Sequence, residues 1–281
     1  MGVEMSFFQS ILLGLLSGLT EILPVSAQAH RLIALKLFGV EQEPDLLRLV
    51  IHLSTLAALY YACNGHITRI LRARSMARRT QRRRRRPLDV RSLMDLSLLK
   101  TTWIPIVIVF LFYQDIAVVA DHFMVVAGLL LLNGLILYIP QYLPGSNRDA
   151  RSMSRIDGLL MGLGGAASTL PGISCIGAVT SVGAVRGGDR SYCLNIALLM
   201  NIPMTIGYIV FDVIAIAGSG LGAISFGVLI GYLFAAGLTF VGVLAAIKVM
   251  KALASNIGFS IFSFYCWGAA LFAFMFALTA A

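Results

Sequence analysis

The chain has 281 residues, of which 58% are hydrophobic and only 12% charged, with a mean hydropathy of +0.87 and a formal net charge of +9. An ordinary soluble domain carries about 25% charged residues, so these proportions exclude a water-soluble globule, and the surplus apolar surface is expected to face lipid. Cys63, Cys175, Cys193 and Cys266 stand apart among apolar neighbours without paired or ligand-like spacing, which argues against a disulfide framework or a zinc site and makes each a small buried hydrophobe.

The chain opens on Met1–Ser10, which has no basic start, and the apolar residues after it run into Glu21 and Pro24 rather than a cleavage site. No removable signal peptide is therefore expected. Phe7–Phe38 and the later Ile156–Val185 are each about 30 residues long, too long for one comfortable crossing and too short for two. Both are interrupted by proline and small residues, a pattern that predicts re-entrant helical hairpins turning at mid-depth. Six further segments are long enough to cross as helices: 46–62, 96–112, 123–140, 192–217, 223–247 and 257–280.

Between the first two spans lies the basic loop 65–93. Half of all Lys and Arg fall in Arg69–Arg91, with Arg82–Arg86 consecutive. Such a run marks the cytoplasmic side and attracts anionic membrane lipids. No aromatic residues interleave it, which speaks against nucleic acid as a partner. Charge then alternates as the spans require: Tyr113–His122 has no Lys or Arg, the next connection carries Arg148, Arg151 and Arg155, the turn Gly218–Gly222 is uncharged, and Lys248 and Lys251 follow. If Ile156–Val185 is a hairpin, Arg186 and Arg190 stay on the side of Arg155, as the positive-inside rule prefers. The fold expected is thus an all-helical integral membrane protein with six spans and two re-entrant hairpins. It forms an inverted-topology repeat divided into residues 1–145 and 146–281, each a hairpin followed by three spans. Repeats of this kind place a substrate site near the midplane, where broken helices meet.

The first hairpin gathers Thr20, Glu21, Ser26 and His30 around Pro24. An ionisable group at that depth is a functional candidate: Glu21 is suited to hold a divalent cation or a proton, and His30 to act as base, acid or phosphate ligand. In the second hairpin, Pro171, Gly172 and Gly177 free backbone amides that can cradle a phosphate, and Ser174 and Thr180 add hydroxyls. Asp212 lies within a predicted span and receives no role.

At these hairpins the sequence resembles the undecaprenyl-pyrophosphate phosphatase family of bacitracin-resistance type, whose site is built from a Gly-Leu-Thr-Glu-x-Leu-Pro-x-Ser segment and a Pro-Gly-x-Ser-Arg-Ser-Gly-x-Thr segment. Here these read Gly18-Leu19-Thr20-Glu21-Ile22-Leu23-Pro24-Val25-Ser26 and Pro171-Gly172-Ile173-Ser174-Cys175-Ile176-Gly177-Ala178-Val179. The likeness runs over nearly the whole chain. It implies a multi-pass protein of the bacterial cytoplasmic membrane that hydrolyses a polyprenyl pyrophosphate in lipid-carrier recycling. Glu21, His30 and Ser174 would be catalytic, magnesium or calcium would be the cofactor, and a homodimer is allowed.

The departures fall on that site. Ser17 stands where the family has a carboxylate, Ala27 where it has a serine, Cys175 where it has an arginine, and Ile176 and Val179 replace a serine and a threonine. Phosphoryl transfer depends on neutralising charge on the phosphate oxygens, so weakened hydrolysis is expected unless Arg31, Arg186 or Arg190 supplies a cation. Two alternatives stay open: a polyprenyl-phosphate flippase without phosphatase activity, and a non-catalytic lipid-binding partner.

Overall fold

A computed structural model describes residues 5–80, 89–143, 148–220, 225–256 and 259–279. Among them the ordered elements are helical: α1 (Phe7–Thr20), α2 (Ala27–Phe38), α3 (Asp45–Thr80), α4 (Val90–Leu111), α5 (Tyr113–Ala117), α6 (Phe123–Tyr138), α7 (Arg155–Ala167), α8 (Cys175–Val185), α9 (Arg190–Ser219), α10 (Phe226–Asn256) and α11 (Ile261–Thr279). Six helical stretches are long and apolar enough to cross a membrane: Asp45–Arg78, Val90–Leu111, Phe123–Tyr142, Arg190–Ser219, Phe226–Ala254 and Ile261–Leu278. The protein is a multi-pass membrane protein. These stretches overlap the six predicted spans; the first five run longer, α3 most of all, and the last, Ile261–Leu278, lies within the predicted 257–280. Arginine and alanine are good helix formers, so α3 continues past its apolar stretch into the basic segment. Arg82–Arg86, and the span-end residues 223–224, 257–258 and 280, lie outside the described residues.

Local signals explain where the short helices begin. Ser6 and Ser154 each form a capping box, with Gln9 and Asp157 respectively, at the starts of α1 and α7. Ser26 and Ser174 cap α2 and α8 by accepting from the N–H groups of Ala29 and Gly177. A hydroxyl there satisfies one of the orphan amides of a first turn, worth about 1 kcal/mol.

Each broken segment folds back on itself. At the mouth of the first, Gln9 Nε2 donates to Phe38 O at 3.4 Å. At the mouth of the second, the Arg186 guanidinium meets Asp157 at 2.6 Å, and Asp157 also holds Arg148. Arg186 thus lies beside the start of α7. The two hairpins enter the bundle from opposite ends. The first opens beside the start of α3, where Ser219 Oγ at the end of α9 contacts Asp45 Oδ2 at 3.3 Å. The second opens beside the far end of α3, where Arg155 lines a groove with Arg74 and Arg78.

The packing partners exchange in step. α1 lies along α10 while α7 lies along α4, and α3 pairs with α9 and α6 with α11. Glycines permit both of the first contacts. A Cβ at Gly14 or Gly18 would come within 2.6 Å of Ala235 or Thr239 on α10, and one at Gly162 within 2.5 Å of the Thr102 carbonyl on α4. Gly14/Gly18 and Gly158/Gly162 both have the small-xxx-small spacing that brings helix backbones together where lipid removes the hydrophobic drive. Large apolar side chains such as Leu111, Phe226 and Met275 remain on the outer surface, as a lipid solvent allows.

Candidate functional site

The two helix breaks, Glu21–Ser26 and Ser168–Ser174, meet inside the bundle and are clasped together. Ser26 Oγ accepts the Gly172 N–H at 3.0 Å. Asn133 of α6, fully buried, bridges both: its Nδ2 donates to Pro24 O and its Oδ1 accepts the Ser174 N–H, each at 2.9 Å. Ser26 is the one non-glycine residue with positive φ (68°) among the described residues, a conformation costing of order 1–3 kcal/mol and typical of functional turns. Gly172, at φ 129°, passes so close to Leu129 that a Cβ would come within 2.4 Å.

The clasp leaves a small cavity of about 30 Å³ beside it, lined by Glu21, Ser26, Ala27, Gln28, Arg31, His52, Ser168, Ile173, Ser174, Cys175, Asn201 and Tyr208. By volume that holds one or two waters. The first turns of α2 and α8 both face it, and helix N-termini favour anions through their free N–H groups and dipole. The Glu21 N–H donates to Ser17 O at 2.9 Å, while its carboxylate makes no hydrogen bond or ion pair among the described residues.

Of the residues singled out from the sequence, the structure brings Glu21, Ser26 and Ser174 together at this cavity with the altered positions Ala27 and Cys175. Other candidates lie elsewhere. Both ring nitrogens of His30 are engaged, Nδ1 with Ser26 O at 2.8 Å and Nε2 with Tyr265 Oη at 2.9 Å, and the ring stacks on Tyr265; it does not line the cavity. Thr20 and Thr180 turn their hydroxyls back onto their own helices, at Leu16 O and Ile176 O. The Gly172 and Gly177 amides are satisfied by Ser26 and Ser174, so they brace the two breaks and are not free for a phosphate. Pro171 belongs to the second turn but lines nothing here. Ser17 is buried with its Oγ unpartnered among the described residues, and Ile176 and Val179 are core residues.

Missed entirely is a charged cluster on the cavity wall. Asp212 of α9 accepts from Arg48 Nε and from His52 Nδ1, both at 2.6 Å, and His52 stacks on Tyr208 at 5.3 Å. The signal was present: Arg48 and His52 are four apart on one helix face, and an aspartate inside a span needs a partner of opposite charge. An imidazole held at Nδ1 by a carboxylate keeps Nε2 for a proton or a ligand, and His52 is one of the residues lining the cavity.

A metal ion has a narrow choice here. No group of three or more His, Cys, Asp or Glu side chains is arranged to hold one among the described residues, so a protein-only cage is excluded there. Glu21 fits the other kind of site, in which one carboxylate shares a divalent ion with substrate phosphates and water.

The family model described as bacitracin resistance protein BacA matches residues 10–272. The chain belongs to the BacA family. It is similar to the undecaprenyl-diphosphatase of Methanobrevibacter smithii, 29% identical with 98% of this chain and 99% of the relative covered. Proteins of the same description from Alkaliphilus metalliredigens (28%, covering 98% and 100%) and Nocardioides sp. (33%, covering 73% and 74%) also match. The resemblance read from the two hairpin motifs is thus supported along almost the full length of the chain.

Proposed function

We propose that this protein hydrolyses a polyprenyl diphosphate, of which undecaprenyl diphosphate is the form named by its relatives, to the monophosphate, and that it does so in the bacterial cytoplasmic membrane. The observation that carries the reading is the meeting of Glu21 with the N-terminal turns of α2 and α8 in one buried cavity. Water attacks the terminal phosphorus and the bond to the bridging oxygen breaks. That oxygen leaves with the lipid monophosphate, and inorganic phosphate carries the oxygen of the attacking water. A divalent cation shared between Glu21 and the phosphates would neutralise charge on the transferred group. Ser26 and Ser174 sit beside the phosphates as hydroxyl donors, while the helix ends favour their charge.

Slow turnover is part of the proposal, because Ser17 and Cys175 leave Glu21 without a second carboxylate and the second break without a cation. The site lies where two hairpins entering from opposite ends meet, an arrangement we read as an inverted repeat of residues 1–145 and 146–281 with both hairpins re-entrant. A groove of Arg74, Arg78, Lys100 and Arg155 suits the anionic lipids expected beside a basic cytoplasmic loop.

Phosphate release from a polyprenyl diphosphate by purified protein, with magnesium or calcium supplied, tests the reading; no release above a protein-free control rejects it. The exchanged packing of α1 on α10 and α7 on α4 favours a second reading, translocation of the lipid phosphate by rocking one half on the other. Reconstituted vesicles in which the sidedness of a polyprenyl phosphate is unaltered by the protein would remove it.

A further inference from the structure

Arg31 lines the cavity and Arg48 stands behind it beside the His52–Asp212 pair, and the two are held in opposite ways. Arg48 is fully engaged, 2.6 Å from Asp212 and 2.7 Å from Asp45. Arg31 of α2 is 5% exposed, yet no hydrogen bond to its guanidinium is found among the described residues. Its one ion pair, Nε to Glu43 Oε2, is 3.5 Å long, beyond the usual 2.7–2.9 Å of a charge-assisted bond. Nη1 is buried with no hydrogen-bond partner among the described residues. Leaving a buried charged donor unpaired is among the costliest arrangements a fold can keep, and a carboxylate placed 3.5 Å away holds the group without satisfying it.

A second orphan faces the same space. Asn201 Nδ2, on α9 and 1% exposed, is also buried without a partner among the described residues. Both Arg31 and Asn201 line the cavity, between the N-terminal turns of α2 and α8. Two unpaired donors, one cationic, and two helix N-termini around one space leave acceptor oxygens as the missing component. A cationic ligand would leave both donors unsatisfied, and although a neutral acceptor could take the hydrogen bonds, an anion would also neutralise the buried guanidinium.

We propose that Arg31 is the phosphate-binding cation of this protein, its Nη1 and the Asn201 amide donating to non-bridging oxygens of a diphosphate. Glu43 holds the guanidinium at the cavity wall until the anion arrives. This rests on the diphosphate reading above and names the residue that supplies the positive charge the second break lacks. Cys175 faces the same cavity from the opposite hairpin, so a guanidinium introduced there would reach the same space from the other wall.

The test is binding of two probes to the purified full-length protein in detergent by isothermal titration: inorganic diphosphate, and farnesyl diphosphate as a soluble polyprenyl diphosphate. Arg31→Leu is expected to weaken both by about 10- to 100-fold, the worth of a hydrogen bond to a charged group, and Arg31→Lys by less. Arg31→Leu combined with Cys175→Arg is expected to regain most of the loss, which a purely structural role for Arg31 would not allow. Wild-type affinity in Arg31→Leu overturns the proposal. So does a loss that neither Arg31→Lys nor the double variant recovers, which would make Arg31 a scaffold of the hairpin. If Arg31→Leu does not fold, Arg31→Gln, which keeps the length and a neutral amide, must show the same loss, and normal binding by it overturns the proposal. Tight binding of farnesyl diphosphate alone identifies a lipid headgroup as the source, and equal binding of both probes a site for the diphosphate itself. Binding without phosphate release rejects hydrolysis and leaves the anion site standing; binding of neither probe by the wild type overturns both.

Discussion

The two helix breaks share a plan and differ in what they carry. Each is a serine-capped turn beside a proline, and each inserts a glycine-bearing first helix against a helix of the other half. The first break, however, holds Glu21 and leads into Arg31, while the second offers hydroxyls, backbone amides and Cys175. Backbone and hydroxyl groups position an anion but contribute no formal charge, so of the two breaks only the first brings charge to the site. A pseudo-symmetric scaffold can therefore hold an asymmetric site, because packing constrains the small residues at the helix contacts and leaves the cavity-facing positions free to differ.

That asymmetry can be tested from its strongest consequence downward. Glu21→Ala should reduce phosphate release by at least about 100-fold, as removal of a preorganised charge does, whereas Ser174→Ala should cost about tenfold; equal losses in a release assay would break the comparison. His52→Ala should lower kcat by about 100-fold if its free nitrogen moves a proton, and should do so with KM little changed in steady-state kinetics. Asn133→Leu removes the bridge between the breaks, leaving the Ser174 N–H unpaired at about 1–3 kcal/mol and the Pro24 carbonyl with only the weak Cys266 thiol donor, visible as a lowered midpoint of thermal unfolding. Gly18→Ala and Gly162→Ala should each destabilise by about 1–3 kcal/mol, the usual cost of overpacking; loss at only one of them, by the same measurement, would deny that the two contacts are equivalent.

The smallest effect concerns the hairpin mouths. Burial opposes ionisation of Asp157, but the Ser154 N–H and the Arg186 guanidinium outweigh it and hold its carboxyl below the usual carboxylate range. A carboxyl depressed by folding contributes stability above its unfolded value of about 3.9 and loses it as pH falls through the folded value. Hydrogen exchange over 155–190 should therefore accelerate below about pH 4 relative to 7–40, whose mouth is closed by the neutral Gln9 amide.

Much of this architecture was legible in the sequence, because span length, interruption by proline and the sidedness of arginine are set by the bilayer rather than by distant contacts. Glu21, Ser26 and Ser174 were legible for a similar reason: polar residues beside a helix break in an apolar segment have few places to go. The direction of a side chain was not. His30 looked like a site residue by its neighbours, but Tyr265, 235 positions away, takes one of its nitrogens.

Taken alone, the sequence determined the all-helical membrane fold, the two broken segments and the family resemblance, since those follow from one-dimensional patterns of hydropathy, charge and motif. Only the tertiary structure decided that Asp212 joins Arg48 and His52, that Asn133 ties the breaks together and that Arg31 is buried with a donor to spare. Each depends on residues far apart in the chain reaching hydrogen-bond distance, and such proximity is fixed by helix packing, which no local pattern encodes.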